Sequence, residues 1–430
     1  MLKRKIRLIV YLSTLLLLII TNVTIFLVYS NRQLAQVPHD ADINSNGNAL
    51  FCTITLNEML NNLDRLEEQI PVDPENQVHK IQEIDPEGNF VWEIGGLAYP
   101  HEVEELPNGH LLIADTGFDR VIEVAYPETD IVWSWEPAKI NWTKVNPNWG
   151  KNHYYNFHNI TFDWTHLNDV DFKSYGTWDA CLISIRNFDL VVEVNYTAEK
   201  LGPTNNPENI LWWYGDYQQH SLMYHQHNPD YLSTGNIIIA DSENDRIIEV
   251  DKQTKAIVWK YDEGLLWPRD ADELADGKLL ITDTFNNRIF ILDKEKKEIL
   301  WEFSKDIISP YEADELANEN ILISGCYSGL ILEVTLKGKI VWKYGSSLAK
   351  NIGYLNASVF LLMAFFGLFN RSLLFQLNNL KQKEKIRNII LICFLILLSV
   401  ICLIVLIGYH FVIRTSIRIF NEKIINNFVR

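Results

Sequence analysis

Five repeated segments of this 430-residue chain carry, at one equivalent position, a side chain that can bind an anion or move a proton. These residues are His101, His158, His227, Arg269 and Tyr311, with His158 placed by the order of the motifs. The chain has only 11 histidines, so three at one repeat position are an unexpected enrichment. Each histidine alone could cap a neighbouring turn. If the repeats form a circle, however, the position becomes a ring of titratable groups around a polar pocket.

A second equivalent position follows the second predicted strand of each repeat and reads Thr116, Arg186, Ser242, Thr284 and Cys326. Arg186 is the basic exception, and its alternative role is a salt bridge between repeats. The aspartates just before this position are expected to pair with arginines that recur shortly after it, namely Arg120, Arg246 and Arg288. A calcium site at these aspartates is the other interpretation, although no dense carboxylate loop accompanies them.

The elements that position these residues follow from the repeat itself. The segments HEVEELPNGHLLIADTGFDRVIEV from residue 101 and HNPDYLSTGNIIIADSENDRIIEV from residue 227 are typical, and each precedes a short strand with tryptophan. The six repeated tryptophans are at 92, 133, 212, 259, 301 and 342. Four short strands per unit, separated by Asn-Gly, Thr-Gly or Asp-Gly turns, predict an all-β, six-bladed β-propeller over 79–350.

Two parts of this region depart from the repeat. The first blade shows only two outer strands, near 79–95, so a five-bladed propeller with a partial sixth blade stays open. The long interval between Trp133 and Trp212 is interpreted as an irregular, aromatic insertion at 136–178. Residues 31–78 do not fit the repeat and are predicted to form a stalk or a cap.

Three apolar segments flank the propeller and are long enough to cross a bilayer as helices. They predict a transmembrane anchor within 1–30, a second helix at 351–370 and a third at 389–413, with a loop at 371–388 and a basic tail at 414–430. Lysines and arginines before the first segment and in the loop place both on the cytoplasmic side. We therefore expect a multi-pass membrane protein whose propeller is extracytoplasmic.

The charge is distributed unevenly between these parts. The whole chain has a formal net charge of -17, but residues 31–350 alone hold 25 Lys and Arg against 53 Asp and Glu. Such an acidic domain argues against a nucleic-acid partner, because phosphate contacts require clustered basic side chains. The sequence also lacks a P-loop, a dinucleotide-binding glycine motif and an HExxH zinc motif. No cofactor and no metal ligand are therefore predicted.

The ordered motifs HEVEELPNG at 101, FHNI at 157, SIRN at 184 and HQHN at 225 resemble the arylsulfotransferase family of nucleotide-independent propeller sulfotransferases. The resemblance implies that His101, His158, Arg186 and His227 line the channel mouth and that the last histidine is transiently sulfated. His225 competes with His227 for that role. The segments LLIADTGFDRVIEV and LLITDTFNNRIFILD also resemble NHL repeats, which implies a non-catalytic propeller that binds a ligand or a protein.

Sulfuryl transfer would suit such a ring, because it needs a nucleophile and fixed positive charge around the moving group. A neutral His227 could attack sulfur. Arg186 and Arg269 could bind the sulfuryl oxygens, while His101 and His158 could donate hydrogen bonds or protonate the leaving phenolate. Aromatic substrate contacts are expected from Tyr311, Trp267 and Tyr224. The expected partners are an aryl sulfate donor, a hydroxyl acceptor and the bilayer. After the sulfotransferase and the binding propeller, the third possible function is a propeller lyase or hydrolase that uses the histidines with a metal.

Overall fold

A computed structural model describes residues 36–55, 79–149, 164–216, 219–325 and 328–345, and these form a six-bladed β-propeller. Each blade is a four-stranded antiparallel sheet whose strands follow one another in chain order. The first three blades comprise β1 (Gln36–Ile43), β2 (Ala49–Thr55), β3 (His79–Ile84) and β4 (Phe90–Leu97); β5 (Pro100–Glu105), β6 (Leu111–Asp115), β7 (Arg120–Val124) and β8 (Ile131–Trp135); and β9 (Leu167–Ser174), β10 (Asp179–Ile185), β11 (Leu190–Asn195) and β12 (Ile210–Gly215).

The other three blades repeat the same order. They comprise β13 (His227–Tyr231), β14 (Ile237–Asp241), β15 (Arg246–Val250) and β16 (Ile257–Tyr261); β17 (Pro268–Glu273), β18 (Leu279–Asp283), β19 (Arg288–Asp293) and β20 (Glu298–Phe303); and β21 (Glu312–Glu315), β22 (Ile321–Gly325), β23 (Leu330–Val334) and β24 (Ile340–Gly345). The first strand of each blade is innermost. These inner strands contact one another in sequence, and β1 contacts both β5 and β21, so the circle closes.

The six-bladed alternative is therefore correct, but the first blade is not built as predicted. Residues 36–55, which we assigned to a stalk or cap over 31–78, form its two inner strands, and β2 pairs with β3. The continuous apolar run from Ala49 to Cys52 suits a strand buried on both faces between two blades. Residues 56–78, where the rest of the stalk was predicted, lie outside the described residues.

The predicted membrane segments at 1–30, 351–370 and 389–413, with the loop 371–388 and the tail 414–430, also lie outside the described residues. Within the described part of the chain, no helix has both the length and the apolar character needed to span a bilayer.

Blade 3 corrects a second prediction. Its inner strand β9 begins at Leu167, inside the segment 136–178 that we interpreted as an insertion. The remainder of that segment includes a short helix, α1 (Trp142–Val145), and the buried Trp149 and Trp164. A second short helix, α2 (Tyr196–Leu201), follows β11. The aromatic residues of the insertion thus enlarge the core between blades 2 and 3.

The repeated tryptophans join neighbouring blades. In four blades the indole N–H donates to a backbone carbonyl in the outer turn of the next blade, with N–O distances of 2.8–3.1 Å, for Trp92, Trp212, Trp259 and Trp342. The bond from Trp342 reaches Pro86 O and links the last blade to the first. This bond requires an indole at a fixed place in the repeat, which explains why tryptophan recurs there.

The corners between the second and third strands share another device. Asp115, Asp241 and Asp283 are buried and accept hydrogen bonds from the arginine five residues later, at 2.6–2.8 Å. A 3₁₀ turn lies between the partners in each case. The predicted structural pairing of aspartate with arginine is therefore confirmed at these three corners, and the corners carry the residues that surround the channel mouth.

Candidate active site at the channel mouth

One position near the start of each inner strand forms a ring, which we call the inner ring. Its members are His39, His101, Asn168, His227, Arg269 and Tyr311. In five blades the pairing register shifts at this point; in blades 2, 3 and 5 the ring residue itself is the extra one. A β-bulge of this kind turns a side chain away from its usual face of the sheet. The sequence thereby directs chemically active groups to the channel instead of the packed blade interfaces.

The inner ring contains four of the five residues predicted for it and differs in two blades. In blade 3 the equivalent residue is Asn168, opposite the Ser184–Ile185 step, so the assignment of His158 to this position was wrong. His158 itself lies outside the described residues. Blade 1 contributes His39, which sequence reasoning missed, although Pro38-His39-Asp40 is followed by Asn-Gly just as Pro100-His101-Glu102 is.

An outer ring lies two residues before the inner one, where the backbone is left-handed in five blades. Its members are Tyr99, His166, His225, Trp267 and Ser309, with φ between 44° and 59°. Left-handed backbone is strained for such residues and needs support from its surroundings. The support comes from the preceding blade: Asp189 accepts the backbone N–H of His225 at 2.8 Å, and Asp245 accepts that of Trp267 at 2.7 Å. His166 was also missed, because its blade was read in the wrong register.

His227 has the geometry of a positioned nucleophile. Its ring is fully buried, and its Nδ1 lies 2.7 Å from Ser242 Oγ. The Ser242 hydroxyl in turn lies 3.3 Å from Ala240 O, to which it donates. Ser242 Oγ therefore accepts from Nδ1–H, and the lone pair is on Nε2. That Nε2 is buried and has no hydrogen-bond partner among the described residues.

His101 has a fixed ring as well. Its Nδ1 lies 2.8 Å from the carbonyl oxygen of Tyr99, which can only accept, so Nδ1 carries the proton. Its ring lies 4.6 Å from that of His39 and 4.9 Å from that of His166, measured between centroids. His39 also packs 4.6 Å from Tyr311. Three imidazoles and a phenol thus form one side of the mouth.

The part of the mouth next to Tyr311 is cationic and aromatic. The Arg269 guanidinium lies 3.7 Å above the centre of the Tyr311 ring and 4.7 Å from that of Trp267. Trp267 is stacked on Phe285 and meets His227 edge to face at 5.0 Å. Cation–π contacts on two rings hold the guanidinium flat. Arg269 Nε is buried without a hydrogen-bond acceptor among the described residues, so it can still donate to an anion.

Arg186 occupies the start of the 3₁₀ turn of blade 3 and is 2% exposed. It donates to Asn187 Oδ1 at 3.0 Å, and its Nη2 lies 3.7 Å from Glu243 Oε1. The same glutamate oxygen accepts from Trp267 Nε1 at 3.1 Å and lies 3.9 Å from His225 Nδ1. Glu243 therefore connects three predicted site residues. Sequence reasoning missed it, although its position one residue after Ser242 could have indicated its place at the mouth.

The histidines of both rings are held neutral. Burial lowers the pKa of each well below the ordinary value of 6.5, and positive charge on Arg186, Arg269 or both lowers it further, for His39, His101, His166, His225 and His227. A neutral imidazole keeps a lone pair for attack or proton abstraction. The mouth therefore combines two arginines, which bind anions, with neutral imidazoles, which can act as nucleophile and base.

Comparison with known proteins bears on this chemistry. Residues 77–235 match the sequence model of the arylsulfotransferase family, so the predicted resemblance is confirmed over that region. The matched region contains His101, Arg186, His225 and His227. This family match indicates a sulfotransferase enzyme. No curated protein matches the chain significantly in sequence.

Solved structures resemble the chain only distantly. One is a protein of unknown function from Bacteroides caccae, with 11% identity and a TM-score of 0.43 over 62% of this chain and 90% of that one. Another is virginiamycin B lyase from Staphylococcus aureus, with 12% identity and a TM-score of 0.44 over 74% of this chain and 86% of that one. The WD40 β-propeller domain of Doa1 has 12% identity and a TM-score of 0.40, over 66% and 74% respectively.

Proposed function

We propose that this protein transfers a sulfuryl group from an aryl sulfate to a phenolic or other hydroxyl acceptor through a sulfo-histidine at His227, as its match to the arylsulfotransferase family model suggests. The observation that carries the proposal is the His227 ring, whose Nδ1 is held by Ser242 and whose Nε2 has no partner among the described residues. A neutral, oriented and unpartnered imidazole nitrogen is the group that nucleophilic attack on sulfur requires.

In the first half-reaction, Nε2 of His227 would form a bond to sulfur while the bond from sulfur to the aryl oxygen breaks. Arg269 and Arg186 would bind the sulfuryl oxygens, whose charge is spread in a loose transition state. The departing phenolate must gain a proton. His101 is the candidate donor, because a bound anion raises the pKa of a nearby imidazole and so favours its protonated form.

In the second half-reaction, the acceptor hydroxyl would attack the sulfur and release His227. Here neutral His101 would take the hydroxyl proton on Nε2, since its Nδ1–H is already committed to the Tyr99 carbonyl. One histidine would thus give a proton in one direction and accept one in the other. Trp267, Tyr311 and Tyr224 would contact the aromatic rings of donor and acceptor.

We also propose, from the apolar segments at 1–30, 351–370 and 389–413, that the enzyme is a multi-pass membrane protein with an extracytoplasmic propeller. The support is the length of these segments and the basic residues beside them. Cysteine substitutions in the propeller and in the loop 371–388, labelled from outside intact cells, test this topology. Labelling of the loop and not the propeller would refute it.

The activity is tested with the full chain in detergent, 4-nitrophenyl sulfate as donor and phenol as acceptor. We expect a burst of 4-nitrophenol, turnover that rises with phenol, and a labelled His227 when phenol is omitted. The His227→Asn variant should lose at least about 10³-fold in rate, whereas His110→Asn, at a partly exposed turn histidine, should not. A folded protein that gives no burst with several aryl sulfates would refute the proposal and favour a binding propeller of the NHL type.

A further inference from the structure

Two rings of acidic residues line the channel beneath the mouth. The residue after each inner-ring position is acidic in five blades and an asparagine in the other, giving Asp40, Glu102, Asp169, Asn228, Asp270 and Glu312. Two residues further along, every inner strand has a carboxyl group, at Asp42, Glu104, Asp171, Asp230, Asp272 and Asp314. We call these twelve residues the channel acids, although Asn228 is an amide.

Part of this set has a structural explanation. One carboxylate oxygen of Asp40 accepts the backbone N–H of Val103 in the next blade at 2.8 Å. Glu104 accepts that of Phe172 at 2.9 Å, in the same way. These bonds satisfy N–H groups on the free edge of the inner strands, which otherwise would be buried without an acceptor. These hydrogen bonds explain one carboxylate oxygen each of Asp40 and Glu104. They do not explain the other oxygens of the channel acids.

The remaining oxygens are concentrated and poorly compensated. Oxygens of Asp40, Asp42 and Glu102 lie within 4.8 Å of one another. Asp40 is 0% and Glu102 6% exposed, so these carboxyl groups are removed from water. Buried carboxylates at this spacing require a cation or protons to compensate their charge.

A separate observation points to a ligand. Asp169 Oδ2 and Asn228 Oδ1 are buried and accept no hydrogen bond from the described residues. Asp169 is 5% and Asn228 7% exposed. Asp40 Oδ1, on a member of the clustered trio, is likewise buried and without a hydrogen-bond partner among the described residues. Leaving a buried acceptor without a hydrogen bond is unfavourable, and this holds for an uncharged amide oxygen such as that of Asn228 as well as for a carboxylate oxygen.

We propose that the channel acids bind a divalent cation, Ca²⁺, with Asp40, Asp42 and Glu102 as the core ligands and oxygens of neighbouring channel acids such as Asp169 to complete its shell. Ca²⁺ takes six to eight oxygen ligands in flexible geometry and accepts carboxylate and amide oxygens alike. Mg²⁺ requires a smaller, near-octahedral set and keeps its waters. The site holds the inner strands of different blades together and does not take part in sulfuryl transfer.

The test is calcium binding by the full chain in detergent after treatment with EGTA, by titration calorimetry and thermal unfolding. We expect binding of about one Ca²⁺ per chain and a rise in Tm of about 5 °C at a hundredfold excess over Kd. Asp42→Asn and Glu102→Gln should each weaken binding at least about tenfold. They should still fold, because each removes a repelling charge. The matched control Asp262→Asn, at an exposed carboxylate, should bind as the wild type does.

Protonated carboxyl groups are the competing explanation. If protons alone compensate these carboxyl groups, calorimetry will show no calcium binding and Tm will be the same in CaCl₂ as in EGTA. That result overturns the proposal. Neither measurement uses sulfotransferase activity, so the two proposals can fail independently.

Discussion

Removal of the Ser242 hydroxyl tests the role of His227 without altering the imidazole itself. In Ser242→Ala, the Nδ1–H of a fully buried ring loses its acceptor at 2.7 Å. The hydrogen bond contributes about 1 kcal/mol, and the unsatisfied buried donor costs about 1–3 kcal/mol. If the ring loses this free energy of orientation in the attack step, the burst rate falls about 5- to 150-fold, because about 1.4 kcal/mol corresponds to a factor of ten.

The chain supplies both controls for this experiment. Thr116 occupies the equivalent place in blade 2, and its hydroxyl makes the same 3.3 Å bond to the carbonyl two residues earlier, at Ala114. Thr116→Ala therefore removes that backbone bond without touching His227 and should leave the burst unchanged. Because blades 2 and 5 carry buried threonines at this position, Ser242→Thr should keep the hydroxyl and most of the rate.

Stopped-flow release of 4-nitrophenol from the full chain measures the burst. The argument is refuted if Ser242→Ala gives the wild-type burst rate at a wild-type Tm. It is equally refuted if Thr116→Ala and Ser242→Ala lose the same amount, since the loss would then come from the corner and not from the histidine.

Two further predictions concern the charges of the mouth. Because burial and the arginines lower the pKa of His227, its neutral form persists below pH 6.5 and is lost only as pH falls through the lowered value. The burst rate with 4-nitrophenyl sulfate, whose phenolate is stable enough to leave without a proton from His101, should therefore stay level from pH 8 to 6.5. An acid limb centred at 6.5 or above contradicts this. Arg269→Lys keeps the charge but loses the flat stack on Tyr311 that aligns the guanidinium, so kcat/KM for the donor should fall about 3- to 10-fold. An unchanged kcat/KM in steady-state assays would show that the stack contributes nothing to binding or transfer.

The repeat made much of the site predictable. When copies of one segment are arranged in a circle, equivalent residues must lie on one ring, so His101, His227, Arg269 and Tyr311 could be grouped from sequence alone. The position of Arg186 followed in the same way, from the corner after the second strand. These predictions required only the register of the repeats and no knowledge of any contact.

The predictions failed where the register was interrupted. In blade 1, residues 56–78 separate the inner strands from the outer ones, so the periodicity breaks and His39 was overlooked. In blade 3 the insertion lengthens the connection to β9, and motif order placed the ring residue at 158 instead of 168. Left-handed backbone at His225 and Trp267 is a tertiary effect, since the support comes from side chains of the preceding blade. Nothing in the local sequence of either residue predicts it.

The channel acids were hidden for a different reason. Acidic residues that alternate along a strand are normally interpreted as its solvated face, and Glu102 and Glu104 fit that pattern. On an innermost strand, however, the same face meets five other copies of itself around a narrow channel. The burial of Asp40 and Asp270 is therefore a property of the closed circle, and it cannot be read from any one blade.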